Sequence, residues 1–155
     1  MNLSQLEHTL ANDLAVIMEA ETNNAFRSKQ WNGKPWPPVK TPVSRGSLMI
    51  RSGALRRSIR FTTQGNTVHI TSSLPYAAIH HHGGTITMPR TPKMRRFAWA
   101  MFYKTKDPKY KAMALTTKPT LSITIPPRPF VGITPITTNA LNQALKQYLL
   151  NLNLP

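Results

Sequence analysis

The sequence predicts an α+β fold: a small antiparallel β-sheet packed by N- and C-terminal helices, with a long Pro/Trp-rich loop and a basic helical insertion. Three observations lead there. Apolar residues recur at helical spacing near both ends of the chain. Period-two alternation interrupted by turn residues marks the middle. Prolines crowd together beside two tryptophans, where no helix is possible. A chain of 155 residues that is 40% hydrophobic is sized for one core, so residues 1–155 are expected to form a single domain, with the basic insertion at about 89–120.

Residues 3–22 read as an amphipathic helix. Leu3, Leu6, Leu10, Leu14 and Ile17 form the stripe, and Glu7, Asp13 and Glu21 fall off it. Ser4 with Glu7 matches a capping box, and Asn23-Asn24 is the expected stop. Between 27 and 47, Trp31, Trp36-Pro37-Pro38 and Thr41-Pro42 force extended and turn geometry. The tryptophans are expected to pack that loop down on the core or on a neighbour.

Ser52 is placed to cap a short helix over 53–58, with Leu55 and Ile59 one turn apart on its buried side and Arg51, Arg56, Arg57 and Arg60 splayed around the rest. Phe61–Thr63 and Thr67–Thr71 flank Gln64-Gly65-Asn66 as a hairpin. Thr85–Met88 and Leu121–Ile125 read as two more half-buried strands. Between them Thr91-Pro92 opens a helix striped by Met94, Phe97 and Met101, with Trp99 and Tyr103 outside the stripe. Lys104–Lys118 lacks periodicity and is expected to be a loop. Thr134 and Pro135 open a last helix, with Leu141, Leu145, Tyr148, Leu149 and Leu152 on one face.

Charge is the dominant compositional signal. The formal net charge is +15, which calls for nucleic acid, an anionic surface or an acidic partner. Four of the five acids (Glu7, Asp13, Glu19, Glu21) lie in the first helix, while 27–60 and 90–118 carry nine Lys/Arg each. A head-to-tail assembly could exploit that segregation, the acidic helix of one copy meeting a basic face of the next. With no cysteine there is no disulfide, thiolate or cysteine-ligated metal chemistry. No secretion signal is read at Met1–Gln5, and no apolar run approaches the roughly 18 residues that span a bilayer.

Catalytic patterns are weak. His80 and His82 would share one face of an extended segment, but a catalytic metal normally needs at least three protein ligands on a rigid frame, so no metal and no cofactor is expected. Gly83-Gly84 lacks the Lys-Ser/Thr that would make it a phosphate loop, and a turn needing positive φ accounts for it. No Gly-x-Ser-x-Gly occurs, and acids are too few for paired acid–base work. The chain reads as no enzyme. Lys93, Arg95 and Arg96 crowd the first turn of a helix, where the dipole disfavours cations, and with Arg90, Arg56 and Arg57 they are candidate contacts to DNA or an acidic partner. Aromatics interleave them at Phe97, Trp99, Phe102 and Tyr103, so sequence-independent nucleic-acid binding is the alternative function.

Pro75-Tyr76-Ala77-Ala78-Ile79-His80-His81-His82-Gly83-Gly84, followed about forty-five positions later by Arg128-Pro129-Phe130, stands with Trp36-Pro37-Pro38 and Ile50–Ile59 in an order that resembles the phage virion-morphogenesis family, the tail completion proteins of Mu-like and P2-like tailed phages. The resemblance implies a structural protein that completes the tail or joins it to the head, acting as a homo-oligomeric ring, often hexameric in related proteins. It implies tail tube, terminator and connector proteins as partners, with non-specific contact to packaged double-stranded DNA and none to a membrane. It places the protein in the tail or neck of the virion, and in the host cytoplasm during assembly. Tyr76, His80, Gly83 and Gly84 would shape a turn, and Arg128, Pro129 and Phe130 a corner.

Overall fold

The computed structural model describes residues 3–39 and 45–151; Thr41-Pro42 and Leu152 lie outside the described residues. The class is α+β, with six helices and three two-stranded antiparallel ribbons among the described residues. The chain divides into two compact units, one of residues 1–83 with 126–155, the other of residues 84–125.

In the first unit, α1 (Leu3–Ser28) continues through Asn23-Asn24 and ends at Lys29, whose left-handed φ of 60° lets its N–H reach the Ala25 carbonyl at 2.9 Å. The asparagines do not stop it because the turn stays satisfied: the Asn24 carbonyl accepts from Ser28 Oγ and its side chain from Arg27. Ser4 lies inside the helix rather than at its cap. The buried line is Ala11, Ala15, Met18, Thr22, Ala25 and Phe26, while Leu3 is 72% exposed and the other expected stripe residues are half-buried. Small side chains win that face because α1 packs closely on both a hairpin and the last helix.

That last helix, α6 (Pro135–Asn151), packs along α1. Its start is a reciprocal cap: the Thr134 N–H donates to Thr137 Oγ1 at 3.1 Å, and the Thr137 N–H to Thr134 Oγ1 at 3.2 Å. Both hydroxyls then donate to the Glu21 carboxylate, Thr134 at 2.7 Å and Thr137 to the second oxygen. Further along, Tyr148 Oη donates to Asp13 at 2.9 Å. Glu21 and Asp13, expected off the packing stripe, therefore join the two helices. A carboxylate at a helix N-terminus also complements the dipole.

After α1 come β1 (Gln30–Trp31) and β2 (Lys34–Pro35), a minimal hairpin turned by Asn32-Gly33. Ser52 Oγ accepts from the Ala54 N–H ahead of α2 (Ala54–Ser58), and Leu55 and Ile59 are buried as the spacing predicted. The hairpin β3 (Ile59–Gln64) and β4 (Thr67–Ser72) pairs in register from Ile59↔Ser72 to Gln64↔Thr67, with Gly65 at φ 61° in the turn. Phe26, with no exposed surface, sits among Trp36, Leu55, Ile59, Ala77 and Phe130 in the core of this unit.

In the second unit, β5 (Gly84–Pro89) and β6 (Thr120–Ile125) pair antiparallel from Gly84↔Ile125 to Pro89↔Thr120. Their side chains are more exposed than the alternation suggested, with only Met88, Leu121 and Ile125 half-buried. Between the strands run α4 (Pro92–Thr105) and α5 (Pro108–Leu115), packed on each other. Thr91 Oγ1 caps α4 by accepting from the Met94 N–H at 3.3 Å. The inner face of α4 centres on fully buried Ala98, flanked by half-buried Met94, Met101 and Phe102, while Phe97 is 55% exposed. The loop expected over Lys104–Lys118 is instead largely α5. Asp107 caps it, accepting from the Lys109 N–H at 3.0 Å, and Pro108 takes its first position.

Candidate functional site

Three stretches distant in sequence meet around the corner at 128–130. His80-His81-His82 lies in a short helix, α3 (Ala77–His82), that begins where the Ala77 N–H meets the Leu74 carbonyl at 3.1 Å. The helix closes on Gly83, whose φ of 74° suits a residue without Cβ. Since the segment is helical rather than extended, His80 and His82 do not share a face, and the paired-ligand geometry is absent.

Each histidine has its own surroundings. The His80 ring packs edge-on to Tyr76 at 5.8 Å, and its carbonyl accepts the Arg128 N–H at 3.0 Å. His81 packs on Phe130 at 4.9 Å between ring centres, and its Nδ1 faces the Phe130 N–H at 3.3 Å. For that bond Nδ1 must be the unprotonated nitrogen. His81 and His82 also meet edge-on at 4.5 Å. Burial, and then the Arg128 cation, holds the His80 pKa below its usual value. Burial, with a smaller contribution from His82, does the same to His81.

The corner itself binds the Pro-rich segment. Arg128 Nε donates to the Pro37 carbonyl at 2.9 Å and Nη2 to Pro38 at 3.3 Å. Trp36 Nε1 donates to the Pro129 carbonyl at 2.7 Å. Phe130 closes the stack, its ring 5.2 Å from Phe26, which meets Trp36 edge-on at 5.5 Å. Prolines donate no N–H, so their carbonyls are the hydrogen-bonding groups this segment offers, and a planar guanidinium can serve two at once. Burial lowers the Arg128 pKa.

Tyr76, His80, Gly83, Arg128, Pro129 and Phe130 thus all lie in the first unit around one corner, while Gly84 begins the second. The basic candidates fall into two sets. Arg56 and Arg57 are exposed on α2 in the first unit. In the second, Lys93, Arg95 and Arg96 are exposed on the first turns of α4. Arg90 differs: its guanidinium donates to the Thr116 carbonyl at 2.9 Å and to the Met113 carbonyl, closing the C-terminal end of α5. Along α4, Trp99, Phe102 and Tyr103 form a ring cluster, with Lys106 Nζ 5.7 Å over Tyr103 and Lys111 Nζ 5.9 Å over Phe102.

The sequence reading named Thr134 as a cap but not its partner Thr137, and did not separate His81 from its neighbours. Nothing in the His-His-His run distinguishes the histidine that receives Phe130. The Thr-x-x-Thr spacing ahead of an apolar stripe was a usable sign of the reciprocal cap.

A family model described as the phage virion morphogenesis family matches residues 2–150, nearly the whole chain. No curated protein and no solved structure matches.

Proposed function

Since the chain belongs to the phage virion morphogenesis family, we propose that it is a non-enzymatic assembly protein that completes the tail or joins it to the head, or both, as a homo-oligomeric ring around the DNA path. Membership gives the chain a role in building the phage particle, and the match over residues 2–150 is the observation that carries the reading. The finer steps rest on charge. A net charge of +15 makes copies repel unless an anion lies between them, and a ring whose lumen admits DNA supplies one. Arg56, Arg57, Lys93, Arg95 and Arg96 are among the exposed cations that can face it. The ring meets tail tube, terminator and connector proteins, in the host cytoplasm and then at the tail or neck. No described helix is long and apolar enough to cross a membrane.

Electron microscopy of an induced lysate from a phage lacking this gene tests the proposal. Filled heads beside separate, defective tails are expected; intact particles would overturn it.

The aromatic and lysine cluster on α4 and α5 favours a second reading, sequence-independent nucleic-acid binding by the isolated protein. It predicts salt-sensitive binding to any duplex. Absence of binding at physiological salt removes it.

A further inference from the structure

Beneath the Arg128 corner lies a cation that pairs with no carboxylate among the described residues. Arg128 is only 6% exposed, and its Nη1 makes no hydrogen bond among the described residues. The one ion pair among those residues joins Lys109 to Asp107. Beside it, His80 Nδ1 is buried with no hydrogen-bond partner. Both side chains line a cavity of about 260 Å³ together with Arg51, Ser52 and Tyr76. That volume is far more than a single water needs. Leu48 and Leu55 make an apolar wall of the same cavity.

Two carbonyl bonds leave the planar fork of the guanidinium incomplete, and Nη1, which is not among the buried atoms without a partner, opens toward the cavity. Carboxylates match that fork best. We propose that this cavity is an acceptor site for a glutamate side chain carried by an acidic segment of a neighbouring protein in the particle. A glutamate reaches inward on two methylenes, which suit Leu48 and Leu55, while its carboxylate meets Arg128 and Arg51. Duplex DNA presents its phosphates on an unbroken ribbon of sugar, too broad to seat in such a recess. The occupant comes from a different protein because this chain offers no acidic segment. Asp13 and Glu21 are held by α6 and Asp107 by Lys109, which leaves Glu7 and Glu19, set well apart along α1, against twenty lysines and arginines.

The inference rests on the assembly reading only for the partner's identity; the site is testable on the isolated full chain. Titration of isotope-labelled protein with a capped tetraglutamate peptide, and separately with inorganic phosphate at equal ionic strength, is followed by NMR at the Arg128 Nε–H and the His80 ring. Arg128 holds the Pro37 and Pro38 carbonyls, so its replacement could simply unfold the corner; Arg51→Gln is the informative variant, being exposed. The expected result is a saturable shift at both groups with the peptide, about fivefold weaker in Arg51→Gln and unchanged in Arg60→Gln, which lies outside the cavity. No shift at those groups, or equal weakening in both variants, overturns the proposal. Saturation by phosphate alone overturns it in favour of a phosphate ligand. None of these outcomes bears on the lysate test of ring assembly.

Discussion

The guanidinium of Arg128 donates from Nε to the carbonyl of Pro37 at 2.9 Å, across 91 positions of sequence. With the Trp36–Pro129 bond, also between distant residues, it makes two adjacent segments hold each other by complementary groups. The prolines supply acceptors without donors, and arginine and tryptophan supply donors without acceptors. Exchange of Arg128 for lysine is therefore not conservative, since one ammonium cannot reproduce the two-pronged geometry. Arg128→Lys is expected to lower unfolding free energy by about 2–3 kcal/mol. Urea denaturation checks it, with the midpoint falling and the slope unchanged.

The Glu21 clamp at the start of α6 gives a second test. Thr137→Val removes both a hydroxyl donor to Glu21 and an acceptor for the Thr134 N–H, and should cost about 1–3 kcal/mol. Glu21→Gln should cost less, because the amide can still accept from one threonine. A double-mutant cycle between the two positions is expected to show coupling rather than additivity.

Phe26 carries the core of the first unit, touching both Trp36 and Phe130 with no surface exposed. Phe26→Ala should cost about 3–5 kcal/mol, measured by the same denaturation. Phe26→Leu should cost distinctly less.

His80 and His81 both have pKa values depressed by burial. The unfolded chain then binds more protons than the folded one as pH falls below the ordinary histidine value of about 6.5. Their contribution to stability is full above that pH and is lost as pH falls through the folded values. Thermal melts between pH 7.5 and about 5 should show Tm declining with acid. His81→Asn, which keeps an acceptor for the Phe130 N–H, should flatten part of the decline.

On α4, replacement of Lys93, Arg95 and Arg96 by Gln should weaken duplex binding without regard to sequence. If all three touch phosphates, the log–log salt slope should fall by about 2.7, at about 0.9 per contact. Arg90→Gln should instead loosen α5, whose end it closes, and amide exchange would locate the change there.

The sequence by itself determined those elements whose signals are local. Thr91-Pro92 and Thr134-Pro135 open helices, Gly65 turns the hairpin, Leu55 and Ile59 face inward, and the Pro/Trp stretch is extended with Trp36 packed down. Asp107-Pro108 carried the same helix-opening sign as Thr91-Pro92. The stretch after it lacks apolar periodicity because the buried surface of α5 reduces to Ala114. The family too was legible, because its motifs are ordered along the chain.

What only the tertiary structure decided was which chemically similar groups are occupied. A leucine stripe gave way to an alanine-rich face on α1 because two neighbours approach it closely. Asp13 and Glu21 became helix–helix contacts, and Arg90 became a cap while Lys93, Arg95 and Arg96 stayed in solvent. Arg128 was buried beside carbonyls rather than acids. Periodicity and turn chemistry act over a few residues and can be read in order. The partner of a charge is fixed by chain segments that meet only after folding.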